Sequence, residues 1–108
     1  MLRELLRENL DGLLLTIDKI AYGFELIINQ DVAKEDLASL KRLVHSLKGN
    51  LLSIGLKDDA QNAIILEEMI FSLTQEEDSE RVHVSKERIN VWFTYLNKIE
   101  FSLKAYLF

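Results

Sequence analysis

One of the two histidines in the sequence lies among residues that could support chemistry on its ring. His45 is followed by Lys48 and Gly49, three and four positions further along the chain. In a helix, residues three or four apart share a face, so this lysine and this glycine would lie about one turn from the imidazole. A neutral imidazole nitrogen can attack phosphorus, and a nearby ammonium can stabilise the charge that gathers on phosphoryl oxygens. The spacing therefore favours a phosphoryl-accepting histidine assisted by Lys48.

The orientation of His45 follows from a helical wheel of its segment. With Leu40 at the origin, the other predicted core positions cluster within roughly 60°, whereas the histidine falls at roughly 140°. His45 is therefore expected to project away from the core. Gly49 lies one turn further on the solvent side, where a mid-helix glycine costs about 1 kcal/mol relative to alanine. Close approach of a partner molecule is the reason that we expect for this glycine.

Three further residues near His45 are candidates for contact with a partner. Lys41 and Leu52 share the stripe of the histidine on the wheel, and Arg42 is the neighbour of Lys41 in the chain. Together with Lys48, the two basic residues suit an acidic pocket on a partner. Leu52 would be either a hydrophobic docking contact or a bulky group that crowds the site and restricts the choice of partner.

Glu67 is unexpected on the next predicted helix. With Ala60 at the origin of a wheel, it falls at roughly 340°, in the middle of an apolar face. The other members of that face are Ala63, Ile64, Ile70 and Phe71. An unpaired buried carboxylate would cost on the order of several kcal/mol, and a hydrogen bond to the His45 ring would satisfy it. That bond would fix the tautomer and leave the other ring nitrogen free to attack. The alternative is a boundary residue whose carboxylate reaches water.

The elements that would position these residues are predicted to be helices. Proline is absent and only four glycines occur, so little in the sequence can stop a helix. Apolar residues recur at helical spacing in four segments, which run from Leu10 to Ile28, from about Glu35 to Ile54, from about Lys57 to Thr74, and after Ser85. Four amphipathic helices with short connections predict an all-α fold, an antiparallel four-helix bundle.

The boundaries of these helices are predicted less sharply. The leucines among the first six residues form either the first turns of helix one or a short extra N-terminal helix broken near Asp11 and Gly12. Residues 29–31 are predicted to be a turn and cap, and Gly55 to terminate the second helix. The polar run 75–84 is predicted to be a mobile loop, with Ser85 capping the last helix.

Composition limits the classes of function. We expect one domain spanning residues 1–108, because this length allows a single compact core. The absence of cysteine excludes disulfides and thiol chemistry, and the net charge of −5 argues against a nucleic-acid partner. No apolar run approaches the roughly 20 residues of a membrane span, and no signal peptide is recognisable. We therefore expect a cytoplasmic protein that binds neither nucleic acid nor membrane.

The segment His45-Ser46-Leu47-Lys48-Gly49, followed after five residues by Gly55, resembles the H-x-x-K-G segment of histidine-phosphotransfer domains. The resemblance covers most of the chain. It implies that the histidine projects from a four-helix bundle, that the lysine assists with the phosphoryl group, and that Gly49 leaves room for a receiver domain. It further implies that a glutamate or glutamine twenty-two positions after the histidine, here Glu67, hydrogen-bonds its ring. One departure is that larger residues follow Gly49, where the family usually carries small ones.

The resemblance implies a carrier in a two-component phosphorelay. His45 would take a phosphoryl group from a kinase or a receiver aspartate and pass it to another receiver aspartate. Its partners would be a response-regulator receiver domain and a histidine kinase. The carrier itself would have no metal or cofactor, Mg²⁺ would come from the receiver, and the carrier would be a monomer.

Two alternatives remain open at the level of sequence. The chain could be a non-catalytic helical adaptor that binds a receiver domain. It could also be a detached phosphotransfer module of a chemotaxis-type histidine kinase, because its last helix is similar in style to that module. The second histidine, His83, lies in the acidic loop without partner residues in the sequence, and we expect it to be structural or merely solvated.

Overall fold

The computed structural model describes residues 2–76 and 78–106, with the backbone alone at positions 2, 3, 5 and 6. Each helix packs on the next one along the chain, and the last closes on the first, so the predicted all-α four-helix bundle is confirmed. The elements in chain order are α1 (Leu2–Ile27), β1 (Gln30–Ala33), α2 (Lys34–Ser53), α3 (Lys57–Gln75), β2 (Arg81–Val84) and α4 (Lys86–Ala105).

The core lies along the axis of the bundle, where the inward stripes of the four helices meet. Its largest fully buried side chain is Trp92 of α4, whose ring centroid lies 5.4 Å from that of Phe24 on α1. Phe93 packs edge-on against the same phenylalanine at 5.3 Å. These aromatic contacts join the first helix to the last.

Helix α1 is continuous through Asp11 and Gly12, so the alternative of a separate short helix is not adopted. An added Cβ at Gly12 would meet no atom within 4 Å, so no neighbour in the described chain requires a glycine there. The expected burial of the first leucines lies outside the described side chains. Among the described residues, no helix is both long enough and apolar enough to cross a membrane.

A two-stranded antiparallel ribbon takes in residues 30 and 31 of the predicted turn and the last four residues of the predicted mobile loop. β1 pairs with β2 in a register that sets Asp31 opposite His83 and Val32 opposite Val82. The two valines are buried, which anchors the ribbon on one end of the bundle. Asp31 therefore belongs to a strand, and the N-cap of α2 is Ala33, without a side-chain cap.

Asn29 and Ser85 connect the ribbon to the helices. Asn29 ends α1 in the left-handed conformation (φ 56°), its N–H donates to the carbonyl of Val84 (2.8 Å), and its side-chain oxygen accepts from the N–H of Lys86 (3.0 Å). The hydroxyl of Ser85 accepts from the N–H of Arg88 at 3.2 Å, which confirms the predicted cap of α4.

A tight turn joins α2 to α3. Gly55 adopts φ +85°, a conformation that disfavours residues with a Cβ, and it ends α2 as predicted. Its N–H donates to the carbonyl of Leu52 at 3.1 Å, and the N–H of Leu56 donates to that of Leu51 at 3.0 Å, the paired bonds of a Schellman motif. The turn reverses the chain at once, which fixes the register of α3 along α2.

Candidate functional site

His45 and Glu67 are paired across the α2–α3 interface. The Nδ1 atom of His45 lies 3.0 Å from Oε2 and 3.3 Å from Oε1 of Glu67. An ionised carboxylate can only accept hydrogen bonds, so the Nδ1 that faces it carries the ring proton. In the neutral ring, Nε2 is then left with a free lone pair. The histidine side chain is 66% exposed, so this second nitrogen belongs to a ring that a partner can reach.

Lys48 binds the same carboxylate from one turn further along α2. Its Nζ lies 3.5 Å from Oε1 of Glu67, and the side chains of the two residues are 21% and 16% exposed. The carboxylate is thus largely withdrawn from water and has both an imidazole and an ammonium as partners. Because a carboxylate so placed has little freedom to rotate, it holds the imidazole in one orientation.

Glu67 lies at the edge of the inward face of α3, whereas the sequence predicted the middle of that face. The buried residues of α3 are Asp59, Ala60, Ala63, Leu66, Ile70 and Leu73. Their stripe is rotated by roughly 70° from the predicted one, which turns Phe71 outward, where it is 46% exposed. The rotation explains how Glu67 reaches His45: a carboxylate in the middle of the face would point at the core.

Gly49 and Leu52 form the exposed surface that follows His45 along α2. An added Cβ at Gly49 would meet no atom within 4 Å, so no neighbour in the described chain requires a glycine there. Leu52 is 48% exposed, one turn closer to the end of the helix. A flat patch of backbone beside a protruding leucine is a surface that another molecule can approach closely.

Lys41 and Arg42 precede His45 on α2 and are held by uncharged groups. The ammonium of Lys41 lies 4.7 Å from the ring centroid of Phe71, and the guanidinium of Arg42 donates to the hydroxyl of Ser39 at 3.0 Å. Within the described residues, neither cation has a carboxylate at ion-pair distance. Both charges are therefore available to an anionic partner.

His83 has a partner that the sequence did not indicate. Its Nδ1 lies 2.8 Å from Oδ1 of Asp31, the residue directly opposite it in the ribbon. The sequence could not identify this partner, because a contact between residues fifty-two positions apart depends on a strand register that the sequence did not reveal. In the described part of the chain, no group of three or more histidine and acidic side chains is arranged to hold a metal ion.

Asp59 is a buried carboxylate at the opposite end of α3 from the ribbon. The hydroxyl of Ser102 on α4 donates to its Oδ2 at 2.9 Å. Burial raises the pKa of Asp59 above its usual value, with the charge of Asp58 adding to the rise and the Ser102 hydrogen bond opposing it. This carboxylate thus accepts from a neutral hydroxyl, whereas Glu67 pairs with the imidazole of His45 and the ammonium of Lys48.

The sequence was compared with protein families, curated proteins and solved structures. Residues 1–99 match the Hpt domain, whereas neither curated proteins nor solved structures gave a match. Hpt domains carry out histidine phosphotransfer in two-component phosphorelays, where they interact with receiver domains and kinases. The match covers the four helical segments up to the last turns of α4. The chain therefore belongs to the Hpt domain family.

Proposed function

We propose that His45 is the phosphoryl carrier of this protein. It takes a phosphoryl group from a kinase or a receiver aspartate and passes it to another receiver aspartate. The single observation that carries the proposal is the pairing of Nδ1 with Glu67 at 3.0 Å on a ring that is 66% exposed. Orientation of one imidazole nitrogen by a carboxylate leaves the other poised for nucleophilic attack.

The transfer step requires no general base to remove a proton from the attacking nitrogen. The lone pair of Nε2 attacks phosphorus, the Nε2–P bond forms, and the bond from phosphorus to the donor oxygen breaks. The donor carboxylate, or the nucleoside diphosphate at the active site of a kinase, leaves with that electron pair. No proton has to leave Nε2, since the single ring proton resides on Nδ1. The phosphorylated ring carries a positive charge, and the reverse of this step delivers the phosphoryl group to the next aspartate.

Glu67 stabilises the positive charge that develops on the ring, and Lys48 stabilises the negative charge on the phosphoryl oxygens. Glu67 accepts the Nδ1 proton in a hydrogen bond that strengthens as the ring becomes positive. Lys48 lies on the same face of α2 and lends its ammonium to the phosphoryl oxygens as negative charge gathers there. Since Lys48 also pairs with Glu67 at 3.5 Å, its side chain is already ordered beside the imidazole before a partner arrives.

The partner docks on the surface formed by Lys41, Arg42, Gly49 and Leu52. The two cations meet the acidic pocket of a receiver, Gly49 permits close approach of its backbone, and Leu52 gives an apolar contact. Mg²⁺ comes with the receiver and neutralises charge on the phosphoryl oxygens when it is bound. The chain contributes the nucleophile, the lysine and the docking surface. Assignment to the chemotaxis-type subgroup, the monomeric state and a cytoplasmic location stay predictions.

The test is transfer of labelled phosphate to the purified chain. The chain is incubated with phosphorylated receivers and with an autophosphorylating kinase, and acid-labile, base-stable label is measured. We expect label on the wild type and on His83→Gln, and none on His45→Gln. His83→Gln is the matched control because it removes the other exposed imidazole with a carboxylate partner. Absence of label with every competent donor would favour the adaptor, and binding to a receiver that survives His45→Ala would support that outcome.

A further inference from the structure

Phe71 lies beside the candidate site without belonging to the core or to the His45–Glu67 pair. It is one turn after Glu67 on α3 and half of its side chain is exposed. The ammonium of Lys41, one turn before His45 on α2, sits 4.7 Å from the centre of its ring. A cation over the face of an aromatic ring is attracted by the quadrupole of the ring, so this contact orders a lysine side chain that would otherwise be mobile.

Two lysines flank His45 along α2, and their charges are held differently. Lys48, one turn after the histidine, shares the carboxylate of Glu67, so part of its charge is compensated. Lys41, one turn before it, is held by a neutral ring and has no carboxylate within 4 Å among the described residues. An aromatic ring positions an ammonium without neutralising it, whereas a carboxylate does both.

The contact lies one turn from the His45–Glu67 pair, along both α2 and α3. Lys41, Glu67, Glu68 and Phe71 together line a shallow cavity of about 200 Å³ between α2 and α3. Glu67 is also the partner of His45, so one member of the imidazole–carboxylate pair lines the same cavity as the lysine and the ring. The acidic residues that face Lys41 there lie beyond ion-pair distance, which leaves its ammonium available to an incoming anion.

We infer that Phe71 is a positioning residue that holds the Lys41 ammonium beside His45 as an uncompensated cation for the phosphoryl group. The inference rests on the proposed function of His45 and extends it to two residues on neighbouring helices. A phosphoryl group on the imidazole brings roughly two negative charges at neutral pH. Lys48 and Lys41 then approach it from the two directions along α2.

The test uses phosphoramidate as the phosphoryl donor, which makes the measurement independent of partner docking. The P–N bond breaks, ammonia leaves, and the Nε2–P bond forms on His45. We expect Phe71→Leu to slow phosphorylation by about two- to fivefold, the range of an exposed cation–aromatic contact. Lys41→Gln should slow it at least as much. Phe71→Tyr, which keeps the ring, should restore the wild-type rate.

The double variant Lys41→Gln/Phe71→Leu separates positioning from a structural role. If the ring acts through the lysine, the double variant will be no slower than Lys41→Gln alone. Tyr95→Leu is the control, because Lys98 sits 4.9 Å from the Tyr95 ring in the same kind of cation–aromatic contact, on α4 rather than on the helices of the His45 site. It should leave the rate unchanged. A normal rate for Phe71→Leu, or an equal loss with and without Lys41, would overturn the inference.

The titration of the bound phosphoryl group gives a second readout that a structural role would not move. A nearby cation favours the dianion and lowers the second pKa of the phosphoryl group. In a ³¹P NMR titration, Lys41→Gln should therefore raise that pKa, and Phe71→Leu should raise it less. The other charged residues near the phosphoryl group, Lys48, Glu67 and Glu68, are retained in every variant. Identical titrations in all variants would count against the inference. Equal phosphorylation of wild type and His45→Gln would instead defeat the proposed function itself.

Discussion

The protein presents two exposed histidines that each turn Nδ1 towards a carboxylate, and the pairs differ in what surrounds them. His45 lies 3.0 Å from Glu67, and His83 lies 2.8 Å from Asp31. The imidazoles are about equally accessible, with 66% and 58% of the side chain exposed. The carboxylates are not: Glu67 is 16% exposed and Asp31 is 73% exposed.

This difference separates a site that can organise chemistry from a contact on a surface. An exposed ion pair contributes little, because water and salt screen it and both side chains lose rotational freedom when they pair. Glu67 is held between two packed helices and also binds Lys48. Asp31 has a nearby cation too, but the guanidinium of Arg81 donates to its backbone carbonyl at 2.7 Å rather than to its carboxylate. The short distance alone therefore does not identify the functional histidine.

Removal of each carboxylate gives the largest expected difference between the two regions. Glu67→Ala should slow phosphoryl transfer to His45 by about 10- to 100-fold, because the ring loses a charge-assisted hydrogen bond that fixes its tautomer. Glu67→Gln, which keeps an acceptor for Nδ1, should lose less. The measurement is the initial rate of label uptake.

Asp31→Ala is the matched control for that experiment and should leave the rate unchanged. Both alanine variants should keep the helical circular dichroism of the wild type. An equal effect of the two substitutions on the rate would break the comparison, since orientation by a buried carboxylate would then have no special role.

The cations beside the two histidines should also differ in effect. Lys48→Gln removes an ammonium from the His45 site and should slow transfer by about tenfold, less than the loss expected for Glu67→Ala. Arg81→Gln removes the cation next to His83 and should not change the rate. Uptake of label by the two variants under identical conditions is the comparison to make. A normal rate for Lys48→Gln would show that its contact with Glu67 is only structural.

Two exposed mid-helix glycines distinguish docking from helix stability. Gly49→Ala and Gly12→Ala each add a methyl group in open space, so each should raise the free energy of unfolding by about 0.5 to 1 kcal/mol. Gly49→Ala should at the same time raise the half-saturating receiver concentration by about twofold, and Gly49→Gln by about fivefold. Gly12→Ala should not. Thermal unfolding and the concentration dependence of transfer measure the two effects, and unchanged docking in Gly49→Gln would refute close approach at this position.

Asp59 is a second buried carboxylate to compare with Glu67. Its substitution should give the smallest effect of these variants, a change in stability that depends on pH. Its raised pKa means that the folded state binds a proton more tightly than the unfolded state, so its contribution to stability is lost as pH rises through the folded pKa. Asp59→Asn cannot ionise. Its free energy of unfolding should therefore rise relative to that of the wild type as the pH is raised from 3 to 7, as measured by urea unfolding at each pH. A difference in stability that does not vary with pH would contradict this sign.

The sequence predicted the site better than it predicted the ends of the bundle. The approach of Glu67 to His45 could be foreseen, because helical spacing on α2 and a short α2–α3 turn leave little choice of register. The ribbon could not, because a four-residue strand such as β2 has only two buried valines in alternation, too short a pattern to distinguish from a polar loop.

The inward face of α3 was misjudged for a different reason. Apolar residues surround more than half of this helix, including Ile64, Ile65 and Met69 outside the buried stripe. Periodicity then fits several faces about equally well, and only packing against α2 and α4 selects one of them. The prediction accordingly placed Phe71 in the core, whereas the structure leaves it exposed under Lys41.

The contact between Trp92 and Phe24 gives the protein its own spectroscopic reporter. Trp92 is the only tryptophan in the sequence, and its indole is enclosed where α4 meets α1. Its fluorescence emission will shift to longer wavelength when the bundle opens and water reaches the ring. A partner that binds beside His45 contacts α2, so it will leave this emission unchanged. Unfolding and docking can therefore be followed in one sample, with intrinsic fluorescence reporting only the first.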